Sequence, residues 1–124
     1  MAPVKKETIL DEVVYVKKEM PEVLQREEIL DGEPVSLIYD AVKKDMYHLK
    51  GNSGAIWKLI DGKRTVRMIA QELEKMTVGG DEKKVLQDVI KLVVKLGRLN
   101  LIQFAYKRSI DKETMYEAME EISR

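Results

Sequence analysis

The side chains that could carry acid–base, nucleophilic or metal chemistry are few in kind and scattered along the chain. The 124 residues include one histidine, His48, and no cysteine. A histidine cluster for zinc and a thiolate nucleophile are therefore excluded, and only one imidazole is available to assist another group. Carboxylates are numerous, but pairs such as Asp81-Glu82 and Glu120-Glu121 fall where helix caps and charged surfaces are expected.

The glycines do not form a phosphate-binding loop. Gly51, Gly54 and Gly62 match neither the dinucleotide nor the Walker spacing, and the Gly79-Gly80 pair lacks the lysine that should follow. Because no constellation of reactive groups is left, we predict a protein that is not an enzyme. We expect no catalytic residues, no bound metal and no cofactor.

Charge and composition restrict the class of partner. Lysine plus arginine equals aspartate plus glutamate, 22 each, so no overall basic field would attract a phosphate backbone, which argues against nucleic acid. No window approaches the roughly 18 apolar residues that a membrane span needs. The absence of cysteine fits the reducing cytosol, where disulfides are rare, and we expect a cytoplasmic protein.

Three short strands are predicted in the first half of the chain. Alternating apolar residues at 23–29, 35–40 and 46–50 are separated by Asp31-Gly32-Glu33-Pro34 and by Lys43-Lys44-Asp45. Consecutive strands with short links pair as an antiparallel meander. Three strands cannot close on themselves, so we expect the third strand to be an open edge with unpaired backbone groups.

Three helices are predicted to follow, at 53–61, 66–76 and 82–99. Asn52 is the expected cap of the first and Gly62 its left-handed stop, while Thr65 is the expected cap of the second. The second helix begins about one turn after the first ends, which is typical of a helix-turn-helix corner. Trp57, the single tryptophan, is expected in the core.

The order of elements predicts an α+β, winged-helix-like fold: a three-stranded antiparallel sheet followed by a three-helix bundle. We divide the chain into an N-terminal extension (1–21), a domain (22–104) and a C-terminal extension (105–124). The C-terminal extension is predicted to be helical because its apolar residues share one stripe. The N-terminal extension fits a helix through Ile9 and Leu10 or a strand over 13–16, and the pattern does not decide between them.

The last helix of the predicted bundle is apolar around more than half of its circumference. One stripe is expected to pack on the other helices and comprises Val85, Val89, Leu92, Leu96 and Leu99. A second, adjoining shoulder comprises Leu86, Ile90, Val93, Val94 and Gly97. A helix that only covers a core needs a narrower apolar face, so the shoulder should meet a terminal extension, a second subunit or a ligand.

The central motif resembles the PqqD family. It reads Leu49, then Ile56-Trp57, Leu59-Ile60-Asp61-Gly62, Arg64-Thr65-Val66 and Ile69, with Asp88-Val89 and Leu101-Ile102 further on. The resemblance spans roughly residues 23–102. The chain departs from the usual pattern at Lys50, at Ser53-Gly54 and at Asn100, where the family has glycine; asparagine also tolerates a left-handed helix end.

The resemblance implies a non-catalytic peptide chaperone. In PqqD-like modules the leader segment of a ribosomally made precursor peptide is held as an added strand between the third strand and the third helix. The module then presents the peptide to a modifying enzyme, commonly a radical S-adenosylmethionine protein. An open edge beside a broad apolar helix suits this mode of binding on physical grounds as well. The peptide-binding residues we predict are Met46, Tyr47, His48, Leu49, Lys50, Leu86, Ile90, Lys91, Val94 and Lys95.

Two other hypotheses come from different classes of protein. A winged helix-turn-helix regulator would use residues 65–76 and 81–99 to bind DNA, although its recognition helix would begin with Asp81-Glu82, where basic or polar residues are expected. An oligomerising scaffold would fill the groove with residues 1–21 or 110–122 of its own chain. A homodimer and a monomer are both compatible with the pattern, and neither the precursor nor the final product can be named.

Overall fold

A computed structural model describes residues 9–17, 23–76, 81–105 and 111–123. The helices are α1 (Ile9–Glu12), α2 (Gly51–Leu59), α3 (Val66–Met76), α4 (Glu82–Arg98) and α5 (Lys112–Ser123). The strands are β1 (Tyr15–Lys17), β2 (Val23–Leu30), β3 (Glu33–Asp40), β4 (Asp45–Lys50) and β5 (Ile102–Phe104). The predicted α+β fold, with a three-stranded antiparallel sheet followed by helices and terminal extensions, is confirmed.

The main sheet is an antiparallel meander in the order β2-β3-β4. Asp31 and Gly32 both take positive φ values, 52° and 79°, and turn the chain between β2 and β3. One face of the sheet packs on the helices: Ile38 is fully buried, and its β4 partner Tyr47 and the neighbouring Leu49 pack against the core. The same alternation therefore places Met46 and His48 on the opposite, exposed face.

The first helix after the sheet begins earlier than its apolar pattern predicts. α2 starts at Gly51, and Lys50 occupies the cap position without a side-chain capping bond. The prediction that Asn52 caps this helix is therefore wrong, since Asn52 lies within the first turn. The reason is the direct passage from strand to helix at Gly51, whose φ of +56° is a conformation that glycine adopts readily.

Most of the other helix boundaries follow the predicted signals. Asn100 has a φ of +64°, as expected for the left-handed end of α4. Gly62 also has a positive φ, +80°, but α2 ends at Leu59 with Ile60 as an extended cap. The prediction that Gly62 stops this helix is therefore wrong, and Gly62 lies in the turn to α3, where Asp61 accepts from Lys63 N. The Thr65 hydroxyl accepts from Met68 N at 3.2 Å, which confirms it as the α3 cap. Asp81 accepts from Lys83 N and caps α4, whereas the Gly79-Gly80 pair before it lies outside the described residues.

The tryptophan of the central motif is part of the core, as predicted. Trp57 is buried, and its indole N–H donates to Gln25 Oε1 at 2.8 Å. The ammonium group of Lys17 lies 4.8 Å from the ring centroid. These contacts connect α2 to β2 and to the N-terminal segment, so the motif is fixed from both sides.

The N-terminal segment combines the two conformations that the pattern left open. A single helical turn, α1, is followed by β1, which pairs antiparallel with β5 and brings Tyr15 opposite Phe104. Leu10, Val13 and Tyr15 belong to the same buried cluster as the helices. Residues 9–17 are therefore an integral part of the core.

The shoulder of α4 meets the C-terminal helix. α5 packs along α4 through its buried residues Met115, Tyr116 and Met119. The contact is closest at Gly97, where an added Cβ would overlap the hydroxyl of Tyr116. Of the three occupants expected for the shoulder, the terminal extension is the one found.

Candidate functional site

Strand β4 forms one edge of the main sheet. Its only strand partner among the described residues is β3, with Tyr47 opposite Ile38 and Leu49 opposite Ser36. The other edge is β2, where the consecutive charges Arg26, Glu27 and Glu28 oppose the pairing of a further strand. β4 is therefore the better edge for strand addition.

An exposed face of α4 lies near the start of α2, where β4 ends. A cleft of about 270 Å³ is lined by Asn52, Ser53 and Ile56 of α2 and by residues of α4 that include Lys91 and Lys95. We call the space between the β4 edge and this α4 face the β4–α4 groove.

The other end of the groove is held by a contact between the β3–β4 turn and the end of α4. Lys43 Nζ donates to the backbone oxygen of Leu99 at 2.9 Å. Because the last carbonyls of a helix lack intrahelical donors, this lysine satisfies one of them and adds a favourable charge at the helix C-terminus. The contact fixes the start of β4 relative to α4.

The groove has mixed electrostatics. Lys91 and Lys95 are exposed and, within the described part of the chain, form no ion pair. On the β4 side, partial burial, followed by the negative charges of Asp45 and Asp40, raises the pKa of the Tyr47 hydroxyl above its ordinary value. Tyr47 therefore remains neutral near pH 7 and able to donate a hydrogen bond.

The predicted site residues divide into two groups. Met46, Tyr47, His48, Leu49 and Lys50 form the open strand, and Lys91 and Lys95 face the groove.

The apolar residues predicted for the groove wall lie elsewhere on α4. Val94, 3% exposed, lies beside the two lysines, but Ile90 is 0% exposed and Leu86 is half-buried. Helical spacing places Leu86 and Ile90 on the side of Gly97, which packs against α5. Ile90 thus has no surface to offer a ligand in this structure, and Leu86 lies on a different side from the two lysines.

Several residues of the groove were not singled out by the pattern. The pattern predicts Asn52 as a helix cap, Ser53 as the start of the same helix, and Leu92 and Leu99 as core. Lys43 was read as part of a charged link. Only Leu92 and Leu99 could have been assigned to the groove from the local pattern, because helical spacing places them at the border between the apolar stripe of α4 and its lysines. The others depend on long-range contacts that no local pattern reveals.

Among the residues that the structure describes, no three potential metal ligands lie close together. In the same part of the chain, none of the helices combines the length and apolarity that crossing a bilayer demands.

The fold and the groove define a small α+β domain whose helices follow its sheet and whose last sheet strand is open. A family profile described as coenzyme PQQ synthesis protein D, PqqD, matches residues 36–102, more than half of the chain. The chain therefore belongs to the PqqD family, whose members are non-catalytic accessory proteins. Searches of curated proteins and of solved structures returned no match. The match covers β3 from Ser36 onward, β4 and the helices α2 to α4, and it stops at the start of β5, before α5.

Proposed function

We propose that this chain binds a segment of a precursor peptide as an added strand along β4 and presents it to a modifying enzyme. The observation that carries the proposal is the open β4 edge beside an exposed, lysine-bearing face of α4. Backbone pairing supplies affinity that depends little on sequence, and alternate side chains of the added strand face the helix and supply selectivity.

Family membership supports the nature of the ligand and of the partner. A role as a peptide chaperone would explain why a family without catalytic groups is named for PQQ synthesis. The ligand would be the leader segment of a ribosomally made precursor. The partner would be a radical S-adenosylmethionine enzyme acting in the cytoplasm. An affinity in the micromolar range, about 8 kcal/mol, is consistent with a short added strand and a few anchored side chains.

The test is a titration of isotopically labelled protein with a leader peptide taken from a short reading frame encoded beside its gene. We expect amide shifts at residues 45–50 and 88–99, with residues 23–30 of the opposite edge strand as the internal control. A scrambled peptide of the same composition should shift neither edge. Shifts confined to β2, or equal shifts with the scrambled peptide, would refute strand addition at β4.

DNA binding, the alternative hypothesis, receives less support from the geometry. α4 would be the recognition helix, yet its first turn carries Asp81 and Glu82 and two of its faces are buried against the core and α5. A duplex-binding protein should also show affinity that falls steeply with added salt. Salt-sensitive retention of a random DNA duplex, without peptide binding, would favour the regulator over the peptide chaperone.

A further inference from the structure

The C-terminal helix forms the wall of a second cleft on α4. This cleft, of about 520 Å³, lies between the last two turns of α4 and the end of α5, where Glu120 and Ser123 line it. Arg98 Nη1 contacts Glu120 Oε1 at 2.6 Å, and the Ser123 hydroxyl donates to the backbone oxygen of Glu120. The Arg98–Glu120 ion pair joins α5 to α4 at the border of the cleft, and the Ser123 hydrogen bond lies within α5 itself. We call this space the α4–α5 cleft.

The α4–α5 cleft adjoins the β4–α4 groove. Lys91 and Lys95 line both spaces, so they form the ridge between them. Leu99, which also lines the cleft, is the residue whose carbonyl accepts from Lys43 at the start of β4. A strand paired with β4 would consequently run along one side of this ridge, within reach of the cleft on the other.

The lining of the α4–α5 cleft combines an apolar surface with cations. Val94 and Leu99 supply the apolar part, and Lys91, Lys95 and Arg98 surround it. Arg98 is paired with Glu120, whereas the two lysines have no carboxylate partner among the described residues. A side chain that suits this lining has a short apolar stem and a terminal negative charge.

We propose that the α4–α5 cleft is a specificity subsite for one acidic side chain, glutamate or aspartate, of the peptide bound along β4. The inference rests on the proposed function and adds to it the chemistry of one ligand residue. The methylene groups of the acidic residue pack on Val94 and Leu99, and its carboxylate pairs with Lys91 and Lys95. The α4 side of this subsite lies within the segment that the family profile matches, whereas its α5 wall, with Glu120 and Ser123, lies beyond that segment.

The experiment uses the full-length chain and peptides selected from a displayed library of random 12-residue sequences. Selected peptides are synthesised with both ends blocked, so that only side-chain carboxylates carry negative charge. The affinity of each is compared with that of a form in which its glutamate or aspartate is replaced by glutamine or asparagine. The protein variants are the double substitution Lys91→Glu with Lys95→Glu, and Glu120→Gln.

We expect an acidic residue at one fixed position of the selected peptides. The double lysine variant should weaken binding of the acidic peptide by about fivefold or more and change that of the amide form little, since exposed ion pairs are each worth less than about 1 kcal/mol. Glu120→Gln removes a negative charge from the lining of the cleft, where it repels the carboxylate of the ligand, and should therefore strengthen binding of the acidic peptide. Lys63→Glu, the same charge reversal in the turn between α2 and α3, is the control and should leave both affinities unchanged.

Failure of the subsite and failure of the proposed function give different results. Peptides that shift β4 amides but show no acidic position, or that lose equal affinity in acidic and amide forms, overturn the subsite and leave strand addition intact. An unchanged affinity in Glu120→Gln overturns the participation of α5. If no selected peptide shifts residues 45–50, the proposed function fails and the subsite fails with it.

Discussion

At the scale of single residues, Asp111 shows how one carboxylate positions the C-terminal helix. It precedes α5 and accepts from the Thr114 hydroxyl at 2.5 Å and from Glu113 N at 2.9 Å. These hydrogen bonds, that of the Thr114 hydroxyl first, lower the pKa of the Asp111 carboxyl below its ordinary value. The charged form is thus favoured in the folded state.

The lowered pKa of Asp111 makes the stability of the first turn of α5 depend on pH. Since the folded pKa is lower than the unfolded one, the stabilisation is present above the unfolded value near 3.8 and is lost as pH falls through the folded value. We expect Thr114→Val to raise the pKa of Asp111, measured from the carboxyl carbon shift, because it removes the main donor. Amides of α3 serve as the internal reference, and an unchanged midpoint in the variant would contradict this account.

At the scale of elements, local patterns predicted the strands and most helices because their causes lie within a few residues. Thr65 and Asp81 cap the helices that follow them, and Asn100 ends α4 at a positive φ. Gly62 has a positive φ in the turn to α3, after α2 has already ended at Leu59. The cap prediction for Asn52 was wrong because the chain passes directly from strand to helix at Gly51, one position earlier. Asparagine is a good capping residue, but here it lies inside the first turn.

The candidate site was less predictable for a physical reason. The helical spacing of α4 shows how wide its apolar surface is, but which part faces β4 and which faces α5 is decided by contacts such as that between Gly97 and Tyr116. These residues are distant in sequence, so no local period links them. The alternation of apolar and polar residues was enough to locate the β4 half of the site. The α4 half could be located only from the structure, which shows how the C-terminal helix packs on α4.

Gly97 provides a test of the packing between α4 and α5. Alanine is ordinarily favoured over glycine inside a helix by about 1 kcal/mol. Here we expect Gly97→Ala to lower the free energy of unfolding by about 1–3 kcal/mol, because the new methyl group overlaps the buried Tyr116 ring. Denaturant unfolding measures the change in unfolding free energy, and hydrogen exchange of the α5 amides shows whether α5 is the element affected.

The control is Lys84→Ala, at an exposed position on the same helix, which should change the free energy of unfolding by less than about 0.5 kcal/mol. A stabilised Gly97→Ala protein would show that α5 does not pack on α4 as described.

At the scale of the whole molecule, the terminal segments complete the domain. Gly62 N donates to Tyr15 O at 3.0 Å, Val66 N to Val13 O at 3.1 Å, and Ala105 N to Val14 O at 2.9 Å. The N-terminal segment thus bridges the α2–α3 corner and the residue that follows β5. The family motif itself, which includes Gly62 and Val66, relies on residues outside the matched segment.

We therefore expect the N-terminal segment to be required for stability. Leu10→Ala, at a fully buried position, should cost about 2–5 kcal/mol of unfolding free energy. Ile29→Ala, at a position that is 68% exposed, should change it by less than about 0.5 kcal/mol. A chain that begins at residue 22 should lose cooperative thermal unfolding. Equal stability of that truncated chain and the intact one would show that residues 9–17 are dispensable.

The pairing of β1 with β5 also has a consequence for synthesis on the ribosome. Tyr15 finds its partner Phe104 only after all of the residues between them, from β2 to α4, have been translated. At translation rates of 5–20 residues per second, the apolar residues of the N-terminal segment wait roughly 5–20 s before their partners emerge. During that interval they are available to nascent-chain chaperones, and the domain completes its folding only as the last helix leaves the exit tunnel.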